Sequence, residues 1–470
     1  MMKSALLFLM LMLAANGVTS AQPASSRPNI VFILADDLGW GDLGCYGHPN
    51  IKTPHLDRLA EQGTLFTQFY VNGSVCSPSR TAFMTGQFPA RHRIHGHLAL
   101  HSQNEARGMP NWLDPAVPLL TRQLKSAGYA TAHFGKWHLG NGDGAPDPGA
   151  YAIDVHRTVE TNGPGFDNNS DPYFRAKSTG LFVDEAIRFI EAHRDGPFYV
   201  NLWTLVPHAT LHPTAKQLEP YRKFAPGRVP YAGAAQIYYG TVTALDAELG
   251  RLFAKLDELK LADNTLVLFS SDNGPEDIHV QNAAHSGIGS PGPFRGRKRS
   301  LYEGGVRVPF IVRWPGHVPA GRVDDDSIVS AVDFLPTLCD FAKADLPNDY
   351  RGDGEDVGDI LGGTPRPRSK PLMWEWRFRV AGYPVHHSPI LAIRDGWWKL
   401  LLNPDGSRIE LYDIPRDRME QNNLAAQHAD IVAKLSKQAL AWQAKLPPGP
   451  IEPSAGKINY RWPSTKRTKP

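Results

Sequence analysis

The chain has 470 residues, 41% of them hydrophobic, so it is long enough to bury a large core in one or two domains. Fifty basic residues against forty-seven acidic ones leave a net charge of +3, too balanced for nucleic acid or an anionic membrane as the main partner, and any anion must be recognised locally. Three cysteines, Cys45, Cys76 and Cys339, exclude a disulfide-stapled scaffold.

The opening MMKSALLFLMLMLAANGVTSAQP sets a lysine before an apolar run from Ala5 to Ala15, with small residues near Ala21. That order is a secretory leader's, so residues 1–21 are read as a signal peptide and the protein as exported, periplasmic or secreted. The run is shorter than the roughly 18 residues of a spanning helix, and no comparable run follows, so no membrane span is expected.

Short apolar runs then alternate with helical periodicity. NIVFILADD, YATAHFGKWHLG, FYVNLWTLVPHAT, TLVLFSSDNG and VPFIVRWPG are apolar on both faces and end in polar loops, the pattern of central strands under helices. Between them TPHLDRLAEQGTLF, VPLLTRQLKSAGY, TGLFVDEAIRFIEAHRDG and AAQIYYGTVTALDAELGRLFAKLDELKL repeat apolar residues every three or four positions and are predicted to be the covering helices. This is α/β grammar, a large sheet between helices. The texture changes at LGGTPRPRSK, residues 361–370, so a domain over 28–365 and a smaller C-terminal α+β subdomain over 371–470 are expected. Within the latter, ILAIRDGWWKLLLNPDGSRIELYDI reads as strand, turn and strand with PDG, 404–406, as the turn, and a helix follows from Asn423 to Leu446.

Ligands of open α/β sheets gather beyond the carboxyl ends of the strands. Asp36 and Asp37 follow the first run, Lys136 and His138 the second, His208 the third, Asp272 and Asn273 the fourth. Either acidic pair alone reads as turn or helix caps. Together they crowd carboxylates whose repulsion a divalent ion relieves, and an oxygen-only donor set suits calcium or magnesium rather than zinc. In VCSPSRTAF, Ser77 suits an N-cap and Pro78 the first position of a short helix that begins just after Cys76 and stops at Gly86. A helix N-terminus with Arg80 one turn on makes an anion-binding corner, for which Lys136, His138 and Lys298 are further ligands.

Several of these residues have a plainer reading. Cys76 is half of a disulfide, a buried thiol or a chemically remade catalytic group; Cys45 and Cys339 read as small buried hydrophobes or one incidental bridge. His208 is a proton carrier or a satisfied loop histidine. The basic run Arg295 to Arg299 reads by itself as a solvated loop, and Arg91, His97 and His285 as pocket rim or as exposed loop groups. The sequon at Asn72 lies too near Cys76 for a glycan to be expected.

CSPSR, PNIVFILADDLGWGDLGCYG, GKWHLG, SSDNGPE and LYEGGVRVPFIVRWPG resemble the motif blocks of the type I sulfatases of the alkaline-phosphatase superfamily, CSPSR matching their CxPSR modification signature. The likeness runs over about residues 28 to 345, with GWWKLLLN and ELYDI similar to the family's C-terminal subdomain, and the blocks look most like those of arylsulfatases and N-acetylgalactosamine-sulfate sulfatases. The resemblance implies an alkaline-phosphatase-like large mixed sheet. It implies that a maturation enzyme oxidises Cys76 to formylglycine, and that the hydrated aldehyde hydrolyses a sulfate ester, on a sulfated sugar, through a covalent sulfo-enzyme intermediate. By position it implies one calcium ion held by Asp36, Asp37, Asp272, Asn273 and the modified Cys76. Arg80 then fixes the diol, Lys136 and Lys298 take sulfate oxygens, His138 assists sulfate release, and His208, with Lys298, is the acid for the leaving alcohol. A phosphate mono- or diester hydrolase on the same scaffold, and a glycan-binding relative with Cys76 unmodified, are the competing readings.

Overall fold

The computed structural model describes residues 27–458 apart from 141, 160–170, 228–231, 281, 282 and 284; the expected leader and residues 459–470 lie outside the described residues. Strands β1 (Asn29–Ala35), β2 (Thr64–Tyr70), β3 (Ala130–Lys136), β4 (Val155–Val159), β5 (Phe198–Trp203), β6 (Thr265–Ser271), β7 (Arg307–Arg313), β8 (Arg322–Asp324) and β9 (Val329–Ser330) form one mixed sheet. The order is β4-β3-β5-β1-β6-β7-β2-β8, with β9 also on β2. β4, β3, β5, β1 and β6 are parallel, β7 runs against β6 and β2, and β8 and β9 are parallel to β2. Only β7 opposes the rest, so the carboxyl ends of β1, β2, β3, β5 and β6 share one edge.

The apolar runs became central strands because each feeds two cores. Ile30, Phe32 and Leu34 of β1 enter one, with Phe83 of the helix Cys76–Thr85, Leu124 of the helix Leu120–Ser126 and Leu338 of the helix Phe334–Ala342. Val31, Ile33 and Ala35 enter the other, with Val183 of the helix Phe174–His193 and Leu249 of the helix Ala234–Glu258. The two-residue alternation of a strand makes both faces apolar when helices lie on both.

One expected helix is shorter than its periodicity. In TPHLDRLAEQGTLF the helix ends at Glu61, and Thr64 to Phe66 open β2 instead. Gly63 lies against β7 so closely that a Cβ there would stand 2.1 Å from the Val312 carbonyl. Pairing with a strand some 250 residues away settles the matter, and no local window contains it.

A second, antiparallel sheet holds β10 (Leu372–Glu375), β11 (Leu391–Asp395), β12 (Trp398–Leu402) and β13 (Ile409–Asp413) in that order. The segment ILAIRDGWWKLLLNPDGSRIELYDI therefore carries three strands, not two. Asp395 pairs with Trp398 across the two-residue turn Gly396–Trp397, in which Gly396 adopts φ 57°; glycine at the first turn position is a hairpin signal that the surrounding apolar run hid. The last helix spans Ala429–Gln443 and begins later than Asn423, whose Oδ1 accepts from the N–H groups of Leu411 and Ala425 and so closes a turn against β13. Trp374, Leu391, Leu400 and Leu411 of this sheet belong to the same hydrophobic cluster as Phe32. All three cysteines are free thiols, with Cys76 and Cys339 buried.

Candidate active site

Strand register brings the two acidic pairs together. Ala35 lies opposite Ser271, so Asp36–Asp37 and Asp272–Asn273 leave adjacent parallel strands side by side. Asp37 sits in the left-handed region at φ 65°, which Asp tolerates better than most residues, and its N–H donates to Asp272 Oδ1 at 3.1 Å. Ser271 Oγ accepts from the next N–H, of Leu38, at 2.9 Å and steadies the turn.

The cysteine helix begins two residues earlier than expected. Val75 is its cap and Cys76 its first residue, while Ser77, expected as the cap, instead accepts at Oγ from the Leu98 N–H at 3.0 Å. Pro78 falls in the first turn, where its missing N–H is not needed. Gly86 ends the helix at φ 63°, as expected. Cys76, 2% exposed, points its thiol at Asp36 Oδ1, 3.5 Å away.

Arg80 is fully buried and knits three elements. It donates to Asp272 Oδ2 from Nη2 at 2.7 Å and from Nε at 3.2 Å, and from Nη1 to the Lys136 carbonyl at 2.9 Å. Its guanidinium lies 5.0 Å from the Trp203 ring centroid, a cation–π contact. Lys136 Nζ bonds Asp36 Oδ2 at 2.7 Å, and Lys298 Nζ bonds both oxygens of Asp37 at 2.6 and 2.7 Å. Three carboxylates thus meet three cations, all six residues buried.

Burial alone would raise the Asp37 carboxyl, but the ammonium groups of Lys298 and Lys136 outweigh it and hold Asp37 well below the usual carboxylate range. Burial, then the charge of Asp36, pushes Asp272 up. The Cys76 thiol is pushed far up by burial and by Asp272, so it is no ready thiolate. Burial, then Lys298, brings His208 down to about 3, and burial, then Lys136, brings His138 well below its ordinary value. Both imidazoles are neutral. His208 places Nδ1 2.6 Å from its neighbour Ala209's carbonyl and Nε2 3.8 Å from Asp37 Oδ2. His138, at φ 55°, places Nε2 2.9 Å from the Leu98 carbonyl.

The oxygen donors here fit a hard cation, while a thiol and an imidazole by themselves suit softer metals. One ligand atom each from Asp36, Asp37, Cys76 and His208 lies within 4.8 Å of the others. Asn273 donates from Nδ2 to Asp37 Oδ1 at 2.7 Å, while its Oδ1 is buried without a partner. A buried amide oxygen without a hydrogen-bond donor is the acceptor a cation satisfies, and clustered oxygens suit calcium. His208, expected as a proton carrier, thus stands among the ligand atoms as well, and Asp272 turns Oδ2 to Arg80.

The rim residues divide. His97 lies 6.5 Å from the His138 ring, and burial, then Arg107, brings it down to about 3. Arg91 is tied to Asp353 through two bonds of 2.6 and 2.7 Å, and His285 is exposed. Asn72 is buried, its Oδ1 accepting from Ser330 Oγ and the Val332 N–H, which leaves no room for a glycan. The basic run is not a solvated loop: Arg295 lies 3.8 Å from the Tyr302 ring centroid, and Arg297 and Arg299 bond to Glu276. Trp203, Ser271 and Glu276 escaped the sequence reading, although each lies inside or beside a quoted strand motif.

A family model described as Sulfatase matches residues 28–344, and one described as N-sulphoglucosamine sulphohydrolase, C-terminal, matches residues 294–445. The chain belongs to the sulfatase family. Sulfatases are sulfuric ester hydrolases, and this chain is one of them. Members of the family use a calcium ion and formylglycine. The N-acetylgalactosamine-6-O-sulfatase of Bacteroides thetaiotaomicron is 30% identical, covering 88% of this chain and 92% of its own. Human arylsulfatase A is 33% identical over 85% of this chain and 78% of its own. Among solved structures, Ps i-CgsB in complex with k-i-k-neocarrahexaose superposes with a TM-score of 0.75 at 26% identity, covering 89% of this chain and 93% of that one. No described helix of this sulfatase is long and apolar enough to cross a membrane.

Proposed function

We propose that this sulfatase hydrolyses a sulfate ester on a sulfated carbohydrate, with residue 76, oxidised by a maturation enzyme to formylglycine, as its nucleophile. The observation that carries the reading is the position of Cys76, first in its helix and 3.5 Å from an aspartate that is itself paired to a lysine, between two converging acidic strand ends. The carbohydrate is supported by the relatives, one an N-acetylgalactosamine-6-O-sulfatase and another bound to a neocarrahexaose.

The aldehyde hydrate carries two hydroxyls. One attacks sulfur in line and the sugar alcohol departs, leaving a sulfo-enzyme. The second then loses its proton, the carbon–oxygen bond to sulfate breaks, and the aldehyde returns. Arg80, immobile through Asp272 and the Lys136 carbonyl, holds the diol. Lys136 and Lys298 take the sulfate oxygens, exchanging part of their bond to Asp36 and Asp37 for the developing charge. His138 assists sulfate release. His208 delivers the proton to the leaving oxygen with Lys298. Calcium would be held by Asp36, Asp37, Asp272, Asn273 and residue 76, and when bound supplies acidification of the nucleophile and neutralisation of sulfate charge. Residues 1–21 direct export, to periplasm or medium.

The test joins two measurements on matured protein. Mass analysis of the tryptic peptide ending at Arg80 is expected to show an aldehyde at position 76. A panel of defined sulfated mono- and oligosaccharides is expected to yield inorganic sulfate. Intact thiol in active protein would falsify the nucleophile; turnover of phosphate esters in preference to sulfate esters would remove the reaction class.

A further inference from the structure

The run Arg297-Lys298-Arg299 has a division of labour. Lys298 turns inward to Asp37, while its two neighbours hold the loop. Arg297 donates from Nη1 to the carbonyls of Glu276 and Gly287 at 2.7 and 3.2 Å. Arg299 forks onto Glu276, Nη1 to Oε1 at 2.5 Å and Nη2 to Oε2 at 3.0 Å, with side chains 18% and 6% exposed. Its N–H donates to the Ser74 carbonyl at 2.8 Å, and the Lys298 N–H to the Pro275 carbonyl at 2.9 Å. Arg299 also holds φ 74°, a backbone state that a bulky residue keeps only when its surroundings over-determine it.

Arg299 therefore ties together three parts of the site that are distant in sequence. Glu276 stands three residues beyond Asn273, Ser74 two before Cys76, and Lys298 next door. Lysine carries its charge on a flexible four-carbon stem, so where its ammonium rests depends on where its backbone is held. A guanidinium–carboxylate fork, by contrast, fixes distance and angle together.

We propose that the Glu276–Arg299 pair is the positioning element for Lys298, setting its ammonium against Asp37 and residue 76. The bonds of the pair named above run to each other and to main chain, none to Asp37 or Cys76. This rests on the catalytic part given to Lys298 above.

The test uses Glu276→Gln, Arg299→Lys and Arg299→Gly in the matured, calcium-loaded enzyme, with Glu276→Gln also combined with Lys298→Ala. Arg299→Gly keeps the left-handed backbone and removes the fork. With 4-nitrophenyl sulfate, each single variant is expected to lose kcat on the order of 10- to 100-fold while KM moves less than about threefold. Added to Lys298→Ala, Glu276→Gln is expected to cost nothing further, because the pair acts through that ammonium. An equal factor in both backgrounds overturns the proposal, as does an unchanged kcat in variants whose Lys298 Nζ stays at Asp37. Crystals of the Glu276→Gln and Arg299→Gly variants decide it even without turnover. If Lys298 Nζ stays within hydrogen-bond reach of Asp37 in both, the pair does not position it. If Nζ leaves Asp37 and turnover is intact, the positioning stands and the part given to Lys298 in sulfate transfer is what fails.

Discussion

Asn273 bears the plainest unmet demand in the pocket. Its nitrogen is spent on Asp37 and on the Gly274 carbonyl, at 2.7 and 2.8 Å, and its oxygen is buried with nothing to accept from. An acceptor left so costs about 1–3 kcal/mol, which a cation recovers. Calcium at a hundredfold excess over its dissociation constant should accordingly stabilise the fold by about 2.7 kcal/mol. In Asn273→Ala the calcium concentration needed for that stabilisation should rise on the order of tenfold or more, since even partners of ligands are worth that much. Calorimetric melting across a calcium titration measures it, and superimposable titrations for the two proteins would remove Asn273 from the ligand set. Of the site residues, the strand-end acids were legible because position in an α/β sheet marks them. The identity of the cap was not: Ser77 has the right chemistry for one, yet Leu98 from another loop claims its hydroxyl.

Between elements, the loop that carries Lys298 leads into a junction with the second sheet. Glu410 of β13 accepts from Tyr302 and Tyr412 hydroxyls at Oε2, 2.7 and 2.9 Å, and from Arg408 at Oε1, 2.6 Å. Burial would raise this carboxyl, but Arg408, Arg295 and the Tyr302 hydroxyl outweigh it and hold it below the ordinary 4.5. A depressed folded value means stability fully present above the unfolded value and lost as pH falls through the folded one. Glu410→Gln should thus cost about 1–3 kcal/mol at pH 7, with the gap to wild type narrowing as pH drops below about 4.5. Melting temperatures of both proteins from pH 7 to 3 give the answer; a gap constant with pH would assign the loss to packing instead. The elements at this junction were only partly visible beforehand, because β12 and its neighbours are apolar on successive residues and their Gly396–Trp397 turn sits inside that run.

At the scale of the molecule, the two sheets close over one hydrophobic cluster. Trp374, 1% exposed, donates its indole N–H to the Val71 carbonyl at 2.7 Å, and the buried Lys399 bonds Glu303 at 2.9 Å, just ahead of β7. Ending the chain after Leu361 would uncover that cluster and strand Glu303 without its ammonium. Such a truncated chain is expected to be insoluble or to lack a cooperative melting transition; a soluble, cooperatively melting fragment would show the larger sheet to be self-sufficient.

Local pattern by itself determined the strand runs, the main covering helices, the α/β layering of a sheet between helices and the candidate donors Asp36, Asp37, Asp272 and Asn273, because burial on one or two faces is written as period and strand ends are marked by where that period stops; that the sheet is mixed came from the family resemblance. Only the tertiary structure decided that Thr64 to Phe66 pair with β7 rather than extend a helix, that Val75 and not Ser77 heads the cysteine helix, that His208 stands among the ligand atoms, and that Arg299 clamps Glu276. Each of those outcomes depends on a partner far away along the chain, and pairing of that kind is settled by packing and charge in three dimensions, which neighbouring residues do not encode.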